Sequence, residues 1–384
     1  MITRRTLLVR GSLGLAASGF APRLAFARAA SSKRLVFVIQ RGAADGLGTI
    51  GAVGDPAFAG ARGQLAADFA TGLKLDPTFT LHPALAAVGS LYGQGQALFA
   101  HAVASPYRDR SHFDGQNVLE TGGAGAYQVK DGWLNRLLGL LPPDEARAIA
   151  VSATVPLALR GPREVASYAP SALPAASDDL LARVGQLYGG DAQLHGLWNE
   201  AMQTRQLTGD LAADDGRNAA ATGALAARLL VPDNGARVLM IETGGWDTHA
   251  GQRGRLAVQL KGLDALIGAL QTGMGPLWRD TLVVVATEFG RTVAVNGTGG
   301  TDHGTASAAM LFGGGVRGGR VHADWPGLAT AQLHEARDLR PTTSLDGLIA
   351  GAVAGHFGLD AARTLPTLFP GSAGARASEG LLRA

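Results

Sequence analysis

The strongest constraint on this chain is an apolar run, Leu282-Val283-Val284-Val285-Ala286, that stops abruptly at Thr287-Glu288-Phe289-Gly290-Arg291. Consecutive β-branched and leucine residues without polar alternation suit a strand buried on both faces, as in a parallel sheet. A carboxylate just past such a strand lies at the edge where open α/β sheets receive ligands. A glycine-rich loop follows and closes on Thr301-Asp302-His303-Gly304, before a second apolar run from Ala308 to Phe312. Asp302 and His303 thus return an oxygen and a nitrogen donor from the far end of the loop. Singly, each of these residues has a plainer reading, because loops are ordinarily polar. Gly299-Gly300-Thr301-Asp302 would serve as a turn, and Glu288 as a surface partner of Arg291.

The pattern recurs along the chain. The run from Arg34 to Ile39 breaks at Gln40-Arg41-Gly42-Ala43-Ala44-Asp45-Gly46, although Asp45-Gly46 is also a common turn pair. Ala97 to Val103 reads as a strand, followed by a polar stretch and a helix ending at Thr121. Ser111, three residues before Asp114, has capping-box spacing; a serine there either caps the helix or meets an anion at its N-terminus. Arg237 to Glu242 is another strand, and it leads into Thr243-Gly244-Gly245-Trp246-Asp247-Thr248-His249. Asp247 and His249 alternate in an extended segment, so their side chains share one side.

Leu256, Leu260, Leu263, Ile267 and Leu270 form a stripe at helical spacing, which is core. Further strands are expected at Ala148 to Ser152 and Pro156 to Leu159, and further helices at Leu81 to Leu91 and Ser344 to Phe357. Residues 178–230 turn helical and read as an insertion of two or three helices, with His195 an ordinary helical residue. Strands alternating with helices point to one doubly wound α/β domain over 34–371, its sheet mostly parallel and flanked by helices, with a loose tail at 372–384.

Charge and composition narrow the function classes. The formal charge of +3 suggests nucleic acid at first sight, but Arg4, Arg5, Arg10 and Arg23 lie in the first 27 residues, which contain no acid. Without that segment the net charge is −1, and basicity no longer argues for nucleic acid. Residues 1–27 read as an export signal for the twin-arginine machinery, with Thr3-Arg4-Arg5-Thr6-Leu7-Leu8 followed by a mildly apolar region and Ala25-Phe26-Ala27 as cleavage site. Arg10, Pro22 and Arg23 interrupt the apolar stretch, which falls short of the ~20 residues that span a bilayer. An exported protein of the periplasm or cell surface, without a membrane span in its mature form, is expected. The chain has no cysteine, which excludes disulfides, thiolate metal sites and cysteine nucleophiles together.

In a parallel sheet the C-terminal strand ends share one edge, so Asp45, Ser111, Asp247 with His249, and Glu288 with Asp302 and His303 can converge. Carboxylates and imidazoles without thiolates suit Zn, Mn or Mg. The order of these groups resembles that of the alkaline phosphatase and sulfatase superfamily. More specifically, Arg41-Gly42-Ala43-Ala44-Asp45-Gly46, Arg110-Ser111-His112-Phe113, Gly245-Trp246-Asp247-Thr248-His249, Thr287-Glu288-Phe289-Gly290-Arg291 and Thr301-Asp302-His303-Gly304 resemble the bacterial domain-of-unknown-function family 1501, over about Arg34 to Gly371.

The resemblance implies an alkaline-phosphatase-like fold and an exported metal-dependent hydrolase or transferase of phosphate esters, with sulfate esters the lesser branch. It implies Asp45 and Glu288 as ligands of one, weakly held ion, and Asp247, His249 and His303 as ligands of a tightly held one. Ser111 would be the nucleophile and Arg291 would stabilise the transferred group. Three departures stand out: Glu288-Phe289 replaces an expected Asp-His pair, Asp247 and His249 are two rather than four apart, and Ser111 is also a good cap. His112 or Asp302 would then supply the missing ligand. The rival reading is a non-catalytic, surface-associated binding protein that keeps the fold and a degenerate metal site.

Overall fold

The computed structural model describes residues 33–169, 178–191, 194–199, 201–202 and 218–383. The export signal read at 1–27 lies outside the described residues, as do 192–193, 200 and 203–217 of the expected helical insertion, whose described parts include the helices Asp178–Tyr188 and Ala219–Leu230. Twelve strands are described: β1 (Arg34–Gln40), β2 (Ile50–Gly51), β3 (Leu73–Lys74), β4 (Thr80–Leu81), β5 (Ala97–Ala104), β6 (Ala148–Val151), β7 (Ala166–Tyr168), β8 (Val238–Thr243), β9 (Thr281–Ala286), β10 (Ser307–Phe312), β11 (Arg320–His322) and β12 (Thr343–Ser344). Nine of them make one sheet in the order β11-β5-β10-β9-β1-β8-β6-β7, with β12 also paired to β5. β2, β4 and β3 form a small separate sheet.

The apolar runs behave as their composition demands. Every residue of β1, β5, β9 and β10 is buried. β1 lies between β8 and β9, parallel to both, with Leu35 opposite Val238 on one side and Leu282 on the other. Alternate residues serve opposite faces. Val36, Val38, Val283 and Val285 join a core with Leu260, Leu263 and Ile267. Leu35, Phe37, Ile39, Leu282 and Val284 join another with Trp133, Leu348 and Val353. Helix α1 (Gln252–Met274) therefore covers one face and α2 (Leu345–Phe357) the other. The Phe37 and Trp133 rings meet edge to face at 5.1 Å, which locks the second face.

β10 runs antiparallel to both of its neighbours, β9 and β5. Because of that reversal, the C-terminal ends of β1, β5, β8 and β9 share an edge with the start of β10. Three expectations need correction. Leu157–Leu159 is a turn of 3-10 helix rather than a strand, since Pro156 precedes it and Leu159 N donates to Pro156 O. The helix expected from Leu81 begins at Ala86, because Thr80–Leu81 pairs with β2 and β3. The tail beyond Pro370 is not loose. Leu381 is buried, Leu382 bridges Val316, and Arg317 N and Arg383 N make backbone bonds with Leu381 and Gly315.

Candidate metal centre

The loop after β1 and the loop after β8 approach closely. Gly42 has φ of +114°, and a Cβ there would lie 2.8 Å from the Asp247 nitrogen, so only glycine fits. After β5, Arg110 adopts a left-handed backbone with φ of 58°, and Ser111 takes the N-cap position of the helix His112–Thr121. That helix sets His112 against the loop leaving β9. From the far end of the same loop, His303 returns just before β10.

Three imidazoles now surround one carboxylate, and each is oriented from outside. His112 Nδ1 lies 2.8 Å from Glu288 Oε1, His249 Nδ1 lies 3.0 Å from Asp302 Oδ1, and His303 Nδ1 lies 3.0 Å from the Arg110 carbonyl oxygen. All three partners are acceptors, so each Nδ1 is placed to donate, and a ring with its one proton there presents a lone pair at Nε2. Those lone pairs converge on Asp247. His249 Nε2 and His303 Nε2 are 3.0 and 3.3 Å from Oδ1, and His112 Nε2 is 3.4 Å from Oδ2. His249 Nε2 and His303 Nε2 are 3.0 Å from each other, and His112 Nε2 is buried with no hydrogen bond. Nitrogen lone pairs gathered beside a carboxylate are a donor set suited to a cation. Donor atoms of His112, Asp247 and His303 all lie within 4.8 Å of one another, the spread expected of ligands to one ion.

The flanking carboxylates are committed elsewhere. Glu288 Oε1 accepts from Gly42 N at 2.8 Å, Ala43 N at 3.1 Å and Gln116 Nε2 at 3.1 Å as well as from His112, and Oε2 accepts from Thr287 Oγ1 at 3.0 Å. Burial pushes the Glu288 pKa up, but hydrogen bonds led by that from His112 outweigh it and hold the group below its ordinary range. The same contact raises His112. Asp247 is also lowered: burial opposes ionisation, and the Arg291 guanidinium more than compensates. His303 is lowered by burial and by the neighbouring His112. Phe289 stacks on His112 with centroids 5.1 Å apart and lies 5.4 Å from His303, walling the centre on one side.

Of the residues singled out in the sequence, Asp247, His249, Asp302, His303 and Glu288 come together, but in unequal roles. Glu288 and Asp302 each hold a histidine Nδ1; Asp302 Oδ1 also accepts from Asn296 Nδ2 at 3.1 Å, and its side chain is 55% exposed. Asp45 is not part of the cluster. Its Oδ1 accepts from Gly48 N, and its Oδ2 from Arg62 and Gln252. The expected weak ion on Asp45 and Glu288 therefore has no free donor from either. Arg291 is fully buried; NH1 donates to Asp247 Oδ1 at 2.5 Å, Nε to Thr301 Oγ1 at 3.2 Å, and NH2 to the Thr301 carbonyl. It braces Asp247, and each of its three nitrogens already has a partner inside the protein. Ser111 sits at the N-cap without a side-chain cap bond, so its hydroxyl is not the helix cap that its spacing suggested.

Arg62, Gln116 and Gln252 carried no sequence signal. Arg62 and Gln252 meet Asp45 from 17 and 207 residues away, and Gln116 meets Glu288 from 172 away. His112 was legible only as one of two stand-ins for a missing ligand.

Comparison with known proteins agrees with the family read from the motifs. The sequence model described as "Protein of unknown function (DUF1501)" matches residues 40–369. No curated protein matches the chain by sequence. Among solved structures, the alkaline phosphatase from the Antarctic bacterium TAB5 is 12% identical, covering 77% of this chain and 95% of its own at a TM-score of 0.35. A mutant of the TAB5 enzyme with Mg bound in its M3 site is also 12% identical, covering 76% of this chain and 93% of its own at 0.37. A protein in the alkaline phosphatase superfamily from Vibrio parahaemolyticus, 12% identical, covers 77% of this chain and 63% of its own at 0.32. Likeness at that level leaves the chemistry of the centre to its own residues.

Proposed function

Because the chain belongs to the DUF1501 family, whose function is unknown, we propose an activity on the site's own chemistry: a metal-dependent hydrolase or transferase of phosphate esters, with sulfate esters the lesser branch. The observation that carries it is the convergence of three Nε2 lone pairs on Asp247 while every Nδ1 is held outward. His112, Asp247 and His303 would hold one zinc or manganese ion, with His249 beside it as a fourth donor. Bound there, the ion supplies Lewis-acid polarisation of an ester oxygen.

The chain's own residues do the rest. Glu288, Asp302 and the Arg110 carbonyl fix the tautomer and tilt of the rings. Arg291 keeps Asp247 ionised and aimed. Phe289 excludes water from the His112 side. Ser111, one residue before His112 and free of any cap bond, offers the hydroxyl that takes the phosphoryl group before water releases it. Residues 1–27 would direct twin-arginine export and be removed near Arg28; among the described residues no helix is long and apolar enough to cross a membrane.

Elemental analysis of dialysed protein, followed by phosphomonoester, phosphodiester and sulfate ester panels, tests this reading. One ion per chain with ester turnover is expected. Ser111→Ala should abolish turnover while changing stability by no more than ~0.5 kcal/mol, since no cap bond is lost. Full turnover in that variant would remove Ser111 from the role. A second reading, a non-catalytic binding protein with the same ion, is favoured by Arg291, whose nitrogens are all spent on Asp247 and Thr301. A metal-loaded protein inert across the panels would support it.

A further inference from the structure

Behind the centre, a chain of buried hydrogen bonds runs from Asp45 to Asp247 through a residue with no part in the ligand set. Gln252 is fully buried at the first position of α1, and its amide can point only one way. The Asp45 carboxylate accepts and cannot donate, and Gln252 Nε2 donates to it. Arg62, also fully buried, donates to the same carboxylate oxygen. Gln252 Oε1 is thereby turned toward the centre, where it accepts from Thr248 Oγ1 at 2.9 Å and from Thr301 Oγ1 at 2.6 Å.

Each of those hydroxyls then fixes something in the site. Thr301 has one proton and gives it to Gln252, so its lone pair is left for Arg291 Nε at 3.2 Å. That contact and the Thr301 carbonyl set the plane of the guanidinium, which delivers NH1 to Asp247 Oδ1. Thr248 stands between Asp247 and His249 in the chain and is fully buried. With Thr248 drawn inward by Gln252, its two neighbours are turned outward to the centre. The Asp247 side chain is 42% exposed, and Arg291, whose own side chain is fully buried, anchors it from the interior.

We propose that Gln252 is the positioning residue of the metal centre: one amide, its polarity set by Asp45 and Arg62, fixes Asp247 through Thr301 and Arg291 and fixes the Asp247–His249 segment through Thr248. The inference rests on the metal reading above. Asp45 is then a distant anchor for ligand geometry and needs no ion of its own.

The test uses the full chain, freed of metal by dialysis against chelator, and measures Zn(II) affinity by chelator competition and the visible spectrum of the Co(II) form. Circular dichroism and thermal unfolding check the fold. Gln252→Leu should weaken Zn(II) binding by ~10–100-fold, the range carried by outer partners of metal ligands, and should shift the Co(II) bands. Thr301→Val, which removes only the hydroxyl, tests the same chain should Gln252→Leu fail to fold. It should weaken binding in the same direction, and Thr301→Ser should restore it. The double variant should lose much less than the product of the two single effects, because both act on one chain of bonds. Folded Gln252→Leu and Thr301→Val proteins with wild-type affinity and an unchanged Co(II) spectrum would overturn the inference alone. A wild-type chain that takes up neither ion would overturn the metal reading, and this inference with it.

Discussion

Two sets of histidines in this protein are handled in opposite ways. In the core, His101 and His356 stand alone. His101 Nε2 faces the Ile50 carbonyl at 3.0 Å while Nδ1 accepts from Ala102 N at 2.8 Å, so both nitrogens are satisfied by backbone. His356 Nε2 faces the Arg34 carbonyl at 2.9 Å. At the sheet edge, His112, His249 and His303 turn the other nitrogen, Nδ1, to an acceptor behind the ring and direct Nε2 at one another and at Asp247. Burial holds the core rings neutral, lowering His101 to about 4 and His356 to about 3. The rings at the edge are oriented by acceptors placed behind them, Glu288, Asp302 and the Arg110 carbonyl. A structural histidine uses up its hydrogen-bonding capacity, whereas these three have one nitrogen each held in reserve, all aimed at one point.

That contrast breaks most visibly on loss of a ring. His303→Ala should abolish metal retention on dialysis, an effect larger than the ~10–100-fold carried by outer partners, with elemental analysis as the readout. Retention equal to wild type would mean that the edge histidines are no more a binding set than the core pair. Removing the acceptor behind a ring is the next effect in size. Glu288→Gln no longer demands a proton on His112 Nδ1, and metal affinity should fall ~10–100-fold by chelator competition. An unchanged constant would show that the tautomer is set by something other than Glu288.

The third effect is read on stability rather than on metal affinity, and it concerns the core pair. Their folded pKa values lie below the ordinary 6.5, so the unfolded chain binds more protons between about 6.5 and about 4 for His101, and down to about 3 for His356. Stability supplied by keeping them neutral is complete above 6.5 and is lost as pH falls through that window. Each unit of pKa difference corresponds to ~1.4 kcal/mol, so urea unfolding should show a loss of a few kcal/mol between pH 7 and pH 4. A flat profile over that range would contradict the description of buried, neutral core rings.

Much of the scaffold was legible because it depends on local composition. β1, β5, β8, β9 and β10 each fall within a residue of their apolar runs. The edge on which Asp247, His249, Glu288, Asp302 and His303 meet followed from strand direction alone. The division of labour among them did not. Nothing in Thr287-Glu288-Phe289 reveals that the Gly42 and Ala43 amides consume the carboxylate, since those donors come from a loop 245 and 246 residues away. The place of Asp45 outside the cluster was hidden for a related reason. Its partner Arg62 is a single arginine in an alanine-rich stretch, and only the folded chain shows that it is buried. Ser111 failed differently: spacing proposes a cap, but the bond depends on a side-chain rotamer that spacing does not encode.

The reversal of β10 has a consequence for the order in which the centre is assembled. β9 and β10 pair Val285 with Met310, neighbours on the scale of the chain, while β1 and β8 pair Leu35 with Val238. Closing the short connection loses less chain entropy than closing the long one. Glu288 and His303 are therefore expected to be drawn together early in folding, with Asp247 and His249 arriving when β8 docks. Pulse-labelled hydrogen exchange should show β9–β10 amides protected ahead of those of β8, and simultaneous protection would refute that order. If it holds, the edge histidines gather only once β8 has docked, and an ion that needs all of them would be captured only by a chain whose sheet is already complete.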